Sequence, residues 1–230
     1  MGLKIVTFEI AFTDCRLSGG PAFNNSALSL TLYFVSVFNM EFQPLFDYMS
    51  RHISLTPEEK GIVASGFKVR KYLKGQFVVQ NGDICRAESF VLSGCLKSFY
   101  ISDDGQEHIV MFAVENWWTA DLGSFITQTP ADYNVQCLEK CVLAQVSHED
   151  LQRLYFEVPK LERFFRIIIQ KAFVASQKRL INNVSLTARE RYEQFREQYP
   201  QLEQRVPQYM IASYLGITKE FLSKIRSTKN

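Results

Sequence analysis

The chain has 230 residues, of which 47% are hydrophobic and only 18 are Gly or Pro (11 and 7), a composition that excludes a disordered or fibrous protein. Its 26 Lys and Arg against 24 Asp and Glu give a formal charge of +2, so the total charge points to no class of partner. Five cysteines, an odd number in a chain of this length, argue against a disulfide framework, and we expect a protein of the reducing cytoplasm.

The near-neutral total hides an uneven distribution of charge along the chain. Residues 159–230 carry 14 Lys and Arg against 6 Asp and Glu, net +8, whereas residues 1–158 carry 12 against 18, net −6. A basic C-terminal third is expected of a segment that meets nucleic-acid phosphates. Because a solvated helical face can collect basic residues by chance, charge alone leaves both interpretations open.

The first 39 residues differ from the rest of the chain. Their apolar run, residues 27–38, is too short to span a bilayer as a helix, so we expect no membrane partner. Glu9 and Asp14 precede that run and no cleavage pattern follows it, which argues against a secretory signal. We predict that Met40 is the natural start and that residues 1–39 are a leader; a short element packed on the domain is the alternative.

The middle of the chain has the pattern of an antiparallel β-roll. Between residues 67 and 146, short runs of alternating apolar and polar residues are separated by glycines at 75, 82, 94 and 105. Asp103, Asp104 and Gly105 predict a hairpin turn, because Asp and Gly tolerate positive φ. The predicted strands cover residues 76–80, 89–92, 96–101, 108–112, 135–138 and 142–146.

Helices follow the predicted strands. Ser147 predicts a helix N-cap, Pro159 suits the first turn of the next helix, and Thr187 with Glu190 fits a capping box. From residue 159 to about 183, apolar positions recur at alternating spacings of four and three, as in a coiled coil. We predict a dimer helix with the seam Leu161, Phe165, Ile168, Ala172 and Ala175; a central core helix of a monomer is the alternative.

Residues 208–227 carry the motif with the most information, a helix-turn-helix pattern. Ala212 is small where the second helix must cross the first, and Gly216 supplies the positive φ of the turn. Thr218 suits the N-cap of the second helix. The apolar side chains that would lock the two helices together are Ile211, Leu215, Ile217, Leu222 and Ile225.

One face of that second helix is suited to reading bases. Five polar residues share the side opposite Leu222 and Ile225, namely Lys219, Glu220, Ser223, Lys224 and Ser227. Lys donates to guanine, Glu accepts from cytosine and Ser does either. We therefore predict DNA binding by these five residues with Thr218; an ordinary helical hairpin with a solvated outer face is the alternative.

The order of these elements resembles the Crp/Fnr family, that of the cyclic-AMP receptor protein and the fumarate and nitrate reduction regulator. The resemblance covers residues 41–228 and rests on the segments 74–83, 90–100 and 218–226. It implies an α+β fold in which a cyclic nucleotide-binding-like roll (40–155), a dimerisation helix (156–184) and a helix-turn-helix domain (185–230) follow one another. It also implies a homodimeric regulator that binds double-stranded DNA and acts with RNA polymerase, with Lys219, Glu220 and Lys224 at contacting positions.

The resemblance weakens at the effector site. Members of the family that bind cyclic AMP neutralise its phosphate with an Arg-Ser pair, whereas residues 115–134 place Asp132 and Tyr133 near that position. An Asp in place of that Arg reverses the local charge, so we do not expect cyclic AMP as a ligand. We predict an altered effector pocket lined by Trp117, Trp118, Asp121 and Tyr133. Core packing of the aromatic residues is the alternative.

No cofactor or metal is predicted. Of the five cysteines only Cys15 precedes the roll, which is too few for an iron–sulfur cluster there, and Cys137 with Cys141 is a weak zinc pattern. His52, His108 and His148 are isolated along the chain, so we do not expect an enzyme with a histidine-bound metal. A sensor whose roll binds an effector and whose helices bind proteins, not DNA, remains the second hypothesis.

Overall fold

The computed structural model describes residues 41–227, so the predicted leader and the start at Met40 lie outside the described residues. Among the described helices, none has both the length and the apolar composition needed to cross a membrane. The elements in chain order are α1 (residues 41–50), α2 (Pro57–Gly66), β1 (Phe67–Tyr72), β2 (Phe77–Val79), β3 (Ala87–Ser93), β4 (Leu96–Ile101), β5 (Glu107–Ala113), β6 (Trp118–Thr119), α3 (Leu122–Thr127), β7 (Asn134–Cys137), β8 (Cys141–Ser147), α4 (His148–Glu157), α5 (Lys160–Ser185), α6 (Ala188–Gln198), α7 (Leu202–Arg205), α8 (Gln208–Leu215) and α9 (Lys219–Ser227).

Two antiparallel sheets of four strands form the roll. Their strand orders are β1-β8-β3-β6 and β2-β7-β4-β5, so β5 lies at an edge of the second sheet. All six predicted strands are present, as β2, β3, β4, β5, β7 and β8. The alternation of apolar and polar residues did not predict β1, in which Lys68, Arg70 and Lys71 dilute the apolar signal, or the two-residue strand β6.

The hairpin between β4 and β5 has the predicted turn. Gly105 has a φ of 82°, and the Ser102 amide donates to the Gln106 carbonyl at 3.0 Å. The Asp104 carboxylate accepts from the Gln106 amide at 3.2 Å. Since these contacts span only five residues, the turn is specified locally.

The predicted helix caps are also present. The Ser147 hydroxyl accepts from the Asp150 amide at 3.0 Å, and Thr187 and Glu190 form both hydrogen bonds of a capping box. Pro159 stands just before α5, at its N-cap position rather than inside the first turn, and makes no side-chain cap. The helices therefore begin where the sequence predicts, to within one residue.

Two apolar cores hold the chain together. The first fills the roll and joins it to α1, α2, α4 and the first half of α5. The second joins the outer face of the β4–β5 hairpin to α6–α9, which we call the helical unit. Its fully buried members are Cys95, Phe99, Ile109, Phe112, Tyr192, Phe195, Leu202, Val206, Met210, Ile211, Ala212, Leu215, Leu222 and Ile225. The roll and the helical unit thus share one hydrophobic interface.

Candidate nucleic-acid interface

Helices α8 and α9 form the predicted helix-turn-helix. Gly216 ends α8 in the left-handed region, at φ 66° and ψ 37°, which an L side chain adopts at a cost. The Ile217 amide donates to the Ala212 carbonyl at 3.0 Å and closes the turn. Ala212 is buried at the crossing, as are Leu215 and Leu222. The geometry of the turn therefore follows from the small residue and the glycine four positions later.

The polar face of α9 is open to solvent. The Thr218 hydroxyl accepts from the Phe221 amide at 3.2 Å, so Thr218 caps the helix as predicted. Leu222 and Ile225 are buried on the inner side, which leaves the opposite side exposed. The exposed residues of that side, here named the reading face, are Lys219, Glu220, Ser223, Lys224 and Ser227. The structure therefore brings all five predicted residues together on one accessible surface.

Glu203 anchors the far end of α9. Its carboxylate accepts from the Tyr192 hydroxyl and from Arg196 Nε at 2.9 Å, and Arg226 Nη2 lies 3.9 Å away. Burial alone would raise the pKa of Glu203, but the hydrogen bonds from Tyr192 and Arg196 outweigh burial and lower it. Contacts from α6 and α9 thus meet at one carboxylate of α7, which holds the reading face in place.

The segment that corresponds to a cyclic-nucleotide phosphate site is internally satisfied. Asp121, which is 3% exposed, accepts from the Ser124 amide at 3.0 Å and from the Asp132 amide at 2.8 Å. Tyr133 donates its hydroxyl to the Ala120 carbonyl at 2.7 Å. Burial and the nearby Asp121 carboxylate raise the pKa of Tyr133. The carboxylate of the chain itself thus occupies backbone donors that could otherwise bind an anion.

Comparisons with known proteins agree with this geometry. Residues 69–157 match the family model of the cyclic nucleotide-binding domain. The transcriptional activator protein Anr of Pseudomonas aeruginosa is 28% identical over 190 residues, 75% of each chain, and that of Pseudomonas protegens is 25% identical over 167 residues, 68% of each. The c-di-GMP responsive global regulator CLP of Xanthomonas campestris has a similar fold, with a TM-score of 0.62, 16% identity and coverage of 75% of this chain and 91% of CLP.

These matches confirm the predicted resemblance to the Crp/Fnr family of transcription regulators. The predicted fold class, a β-roll with a long helix and C-terminal helices, is confirmed. Since the relatives regulate transcription, the prediction that the chain is not an enzyme is confirmed as well.

In this regulator, the four residues of the predicted effector pocket lie in different surroundings. Asp121 and Tyr133 lie close together beside α3. Trp117 instead packs edge-on against Tyr199 of the helical unit, with ring centroids 5.3 Å apart. Trp118 packs on Phe165 of α5 at 5.1 Å and within the first core. The structure therefore brings together two of the four residues and places both tryptophans at interfaces between elements.

Helix α5 of this regulator has two apolar faces. The first half of the predicted seam, Leu161, Phe165 and Ile168, is buried in the first core and so already packs on the roll of the same chain. Ala172 and Ala175 are exposed. At about 100° per residue, a second set of exposed apolar residues points away from that core. This outer face consists of Phe173, Val174, Leu180, Ile181 and Val184, which are 61–87% exposed.

The described cysteines and histidines take part in packing and local contacts. Among residues 41–227, no group of three or more His, Cys, Asp and Glu residues is placed to hold a metal ion. Cys137 and Cys141 are buried free thiols, and the contact with Cys141, together with burial, raises the pKa of Cys137. His108 stacks on Tyr100 with ring centroids 4.7 Å apart, and His148 begins α4.

No pattern in the sequence indicates the residues that join the helical unit to the roll. Arg205, Ser213 and Arg179 make hydrogen bonds to partners between 35 and 106 residues away along the chain. In the sequence, each resembles an ordinary exposed helical residue. Only chain folding brings them to the roll.

Proposed function

We propose that this regulator is a homodimer that binds specific sites in double-stranded DNA through the reading face of α9. The observation that carries the proposal is the exposure of five polar side chains on one side of a helix whose opposite side is buried. Such a helix fits the major groove, where each base pair presents a distinct pattern of donors and acceptors. Two copies related by a twofold axis would read half-sites about 34 Å apart, so the DNA site is expected to be an imperfect palindrome.

We assign different roles to the residues of the reading face. Glu220, in the first turn of α9, accepts from a base edge and supplies sequence preference, because phosphates repel a carboxylate. Lys219 and Lys224 neutralise phosphates and can donate to guanine. Ser223, Ser227 and Thr218 add short-range contacts. Specificity and affinity therefore depend on different side chains.

Paired alanine substitutions test this division of roles. We expect Glu220→Ala to relax the base preference in a selection from random double-stranded DNA, since the loss of one good base contact lowers discrimination by about 1 kcal/mol or more. Lys219→Ala should weaken binding to all sequences and reduce the slope of log affinity against log salt by about one. Fluorescence anisotropy at several salt concentrations measures both effects.

Lys74→Ala is the matched control, because Lys74 is an exposed lysine of the roll, outside the helical unit. It should leave affinity and salt slope unchanged. An unaltered base preference in the Glu220→Ala variant would contradict the proposed role. If the wild-type chain selects no sequence at all, the DNA-binding function is wrong and the second hypothesis, a sensor that binds proteins, takes its place.

The outer face of α5 is the proposed dimer contact. It presents five large apolar side chains on the side of the helix that points away from the roll, and apolar surface of that extent favours burial by a partner. A groove of about 440 Å³ lies alongside it, lined in part by Ile167 and Val174. A parallel second copy of α5 would cover both surfaces and bring two reading faces to one side of the dimer.

We also propose that cyclic AMP is not the effector. The Asp121 carboxylate already accepts from two backbone amides of the corresponding segment, and Asp132 adds a second negative charge nearby. A cyclic phosphate would meet repulsion instead of an arginine. Titration calorimetry with cyclic AMP should show no binding. Free thiols at four buried cysteines support a cytoplasmic location, and RNA polymerase is the partner that the family resemblance suggests.

A further inference from the structure

The helical unit is attached to the roll at several points besides its apolar core. Rings from both sides meet there, with the Phe112 and Tyr214 centroids 5.6 Å apart. An apolar contact alone allows sliding, because burial has no direction. Hydrogen bonds with defined partners fix the angle at which the unit sits. Ser213 and Arg205 of the helical unit make such bonds to the roll, and Arg179 of α5 bonds to both the roll and the helical unit.

Ser213 fastens α8 to the exposed edge of the roll. Strand β5 is the last strand of its sheet, so alternate backbone groups have no strand partner. Ser213 Oγ accepts from the Ile109 amide at 3.0 Å and donates to the Glu107 carbonyl at 3.0 Å. One hydroxyl thus bonds to both the amide of Ile109 and the carbonyl of Glu107, and it fixes the position of α8 along β5.

Arg205 fastens α7 to the loops at one end of the roll. Its guanidinium makes two hydrogen bonds to the Glu115 carboxylate, at 2.7 and 3.0 Å, and one to Glu139 at 2.6 Å. Glu115 is itself held by the Gly94 amide at 2.8 Å. Burial alone would raise the pKa of Glu115, but the bonds from Arg205 and Gly94 lower it. Because the planar guanidinium binds two carboxylates from separate loops, it resists rotation of the helical unit against the roll.

Arg179 adds a link from the proposed dimer helix. Its guanidinium donates to the Val110 carbonyl of β5 and, at 3.1 Å, to the Tyr214 carbonyl of α8. It also lies over the Tyr214 ring, 4.0 Å from the centroid. Because α5 would define the dimer axis, the hydrogen bonds of Arg179 hold the helical unit in a defined position relative to that axis as well as to the roll.

We propose that Arg205 and Ser213 are positioning residues that set the angle of the reading face and thereby the half-site spacing that the dimer accepts. This inference rests on the proposed function, since it needs a dimer that reads two half-sites. Each base pair added between half-sites turns one relative to the other by about 35°, so a rigid dimer tolerates only one spacing. Helical units that lack these hydrogen bonds could turn relative to the dimer axis, so the dimer would accept several half-site spacings.

Binding to duplexes of different spacing tests the proposal with the full chain. The palindrome is first selected from random double-stranded DNA, and one or two base pairs are then inserted or removed at its centre. We expect the wild type to prefer the selected spacing and the Arg205→Gln/Ser213→Ala variant to lose that preference by about fivefold or more, the size of a typical coupling between two parts of a protein. Affinity for a duplex with a single half-site should stay within about twofold, because the reading face is untouched.

Conservative and matched variants separate positioning from general damage. Arg205→Lys and Ser213→Thr keep a charge and a hydroxyl and should restore part of the preference. Arg153→Gln breaks two ion pairs within α4, outside the helical unit, and should leave the spacing profile unchanged. If the double variant does not fold, Ser213→Ala alone serves, since it removes two hydrogen bonds at an edge and leaves no unpaired charge.

Each outcome decides the proposal. An unchanged spacing profile in a folded variant overturns it, and so does an equal loss on all duplexes including the single half-site. A wild type that binds the palindrome without any spacing preference overturns the positioning role and leaves DNA binding intact. Failure of the wild type to select any palindrome instead overturns the proposed function on which the inference rests.

Discussion

Gly94 shows how the close approach of two segments restricts a single residue. Its φ is +108°, and a Cβ there would lie 2.8 Å from both the Cys141 Cα and the Lys140 carbonyl oxygen, which are backbone atoms that cannot move aside. Gly105 also has a positive φ, of +82°, but a Cβ there would meet open space. A comparison of the two glycines therefore separates the effect of backbone conformation from the effect of crowding by neighbouring atoms.

We expect Gly94→Ala to lower the free energy of unfolding by about 3 kcal/mol or more, because conformational strain and overpacking add. Gly105→Ala, the control, should cost only about 1–2 kcal/mol of conformational strain. Urea unfolding followed by circular dichroism measures both variants. Equal losses in the two would show that the crowding at Gly94 is relieved by movement of the chain.

A buried carboxyl makes the stability of the roll depend on pH. Glu88 in β3 is 6% exposed, and burial raises its pKa from 4.5 to about 7. For an acid with a raised folded-state pKa, the stabilising effect is complete below pH 4.5, where both states are protonated. It is lost as the pH rises towards 7, since the unfolded chain ionises first.

Glu88→Gln should therefore unfold at a higher temperature than the wild type at pH 8 and at the same temperature near pH 4. The expected slope of the difference between these limits is about 1.4 kcal/mol per pH unit at most. Thermal melts across that range give the comparison. A difference that is constant with pH would mean that the pKa of Glu88 is the same in the folded and the unfolded chain, contrary to the expected rise.

At the scale of an element, α5 shows why an apolar repeat does not identify its partner. The heptad-like spacing of Leu161, Phe165 and Ile168 is real, yet these side chains pack on the roll of the same chain. The side chains available to a second copy belong to the outer face, which includes Phe173. At about 100° per residue, the centres of the predicted seam and of the outer face lie about 150° apart around the helix.

Two adjacent substitutions distinguish these faces. We expect Phe173→Asp to convert the dimer to a monomer at micromolar concentration, because a carboxylate buried in an apolar contact costs several kcal/mol. Ala172→Asp, on the predicted seam, should leave the dimer intact, since this exposed residue is turned towards the roll side. Sedimentation velocity gives the masses. A monomeric Ala172→Asp variant alongside a dimeric Phe173→Asp variant would show that the predicted seam, and not the outer face, forms the dimer contact.

At the scale of the whole molecule, the second core couples the helical unit to the roll. Phe99 and Phe112 of the roll are buried against Tyr214, Phe195 and their neighbours, so neither part completes its core alone. A unit of this size has little apolar surface to bury by itself. The two parts are therefore expected to fold together, although the sequence reads as separate domains.

Calorimetry of the full chain should show one transition, with equal calorimetric and van't Hoff enthalpies. A fragment of residues 185–230 should show little near-ultraviolet circular dichroism, because the aromatic side chains that it contributes to the second core lack their partners in the roll. Phe112→Ala should lower the melting temperature of the whole chain rather than split the transition. Two separate transitions in the wild type would contradict the shared core.

The sequence by itself determined the features that depend on neighbouring residues. The turn at Gly105, the caps at Ser147 and Thr187 and the helix-turn-helix at Gly216 each close within a few residues, so their chemistry can be read along the chain. The exposed reading face followed in the same way, because 3.6-residue periodicity places Glu220 and Lys224 opposite Leu222.

Only the tertiary structure decided the features that depend on distant residues. Asp121 has the position of a ligand contact but accepts from the Asp132 amide. Trp117 packs on Tyr199 and not in the predicted pocket, and Arg205 binds Glu115, 90 residues away along the chain. An apolar or charged side chain finds its partner wherever folding places a complementary surface, and burial has no direction along the chain. Partner identity is therefore a property of the packed molecule and not of any single segment.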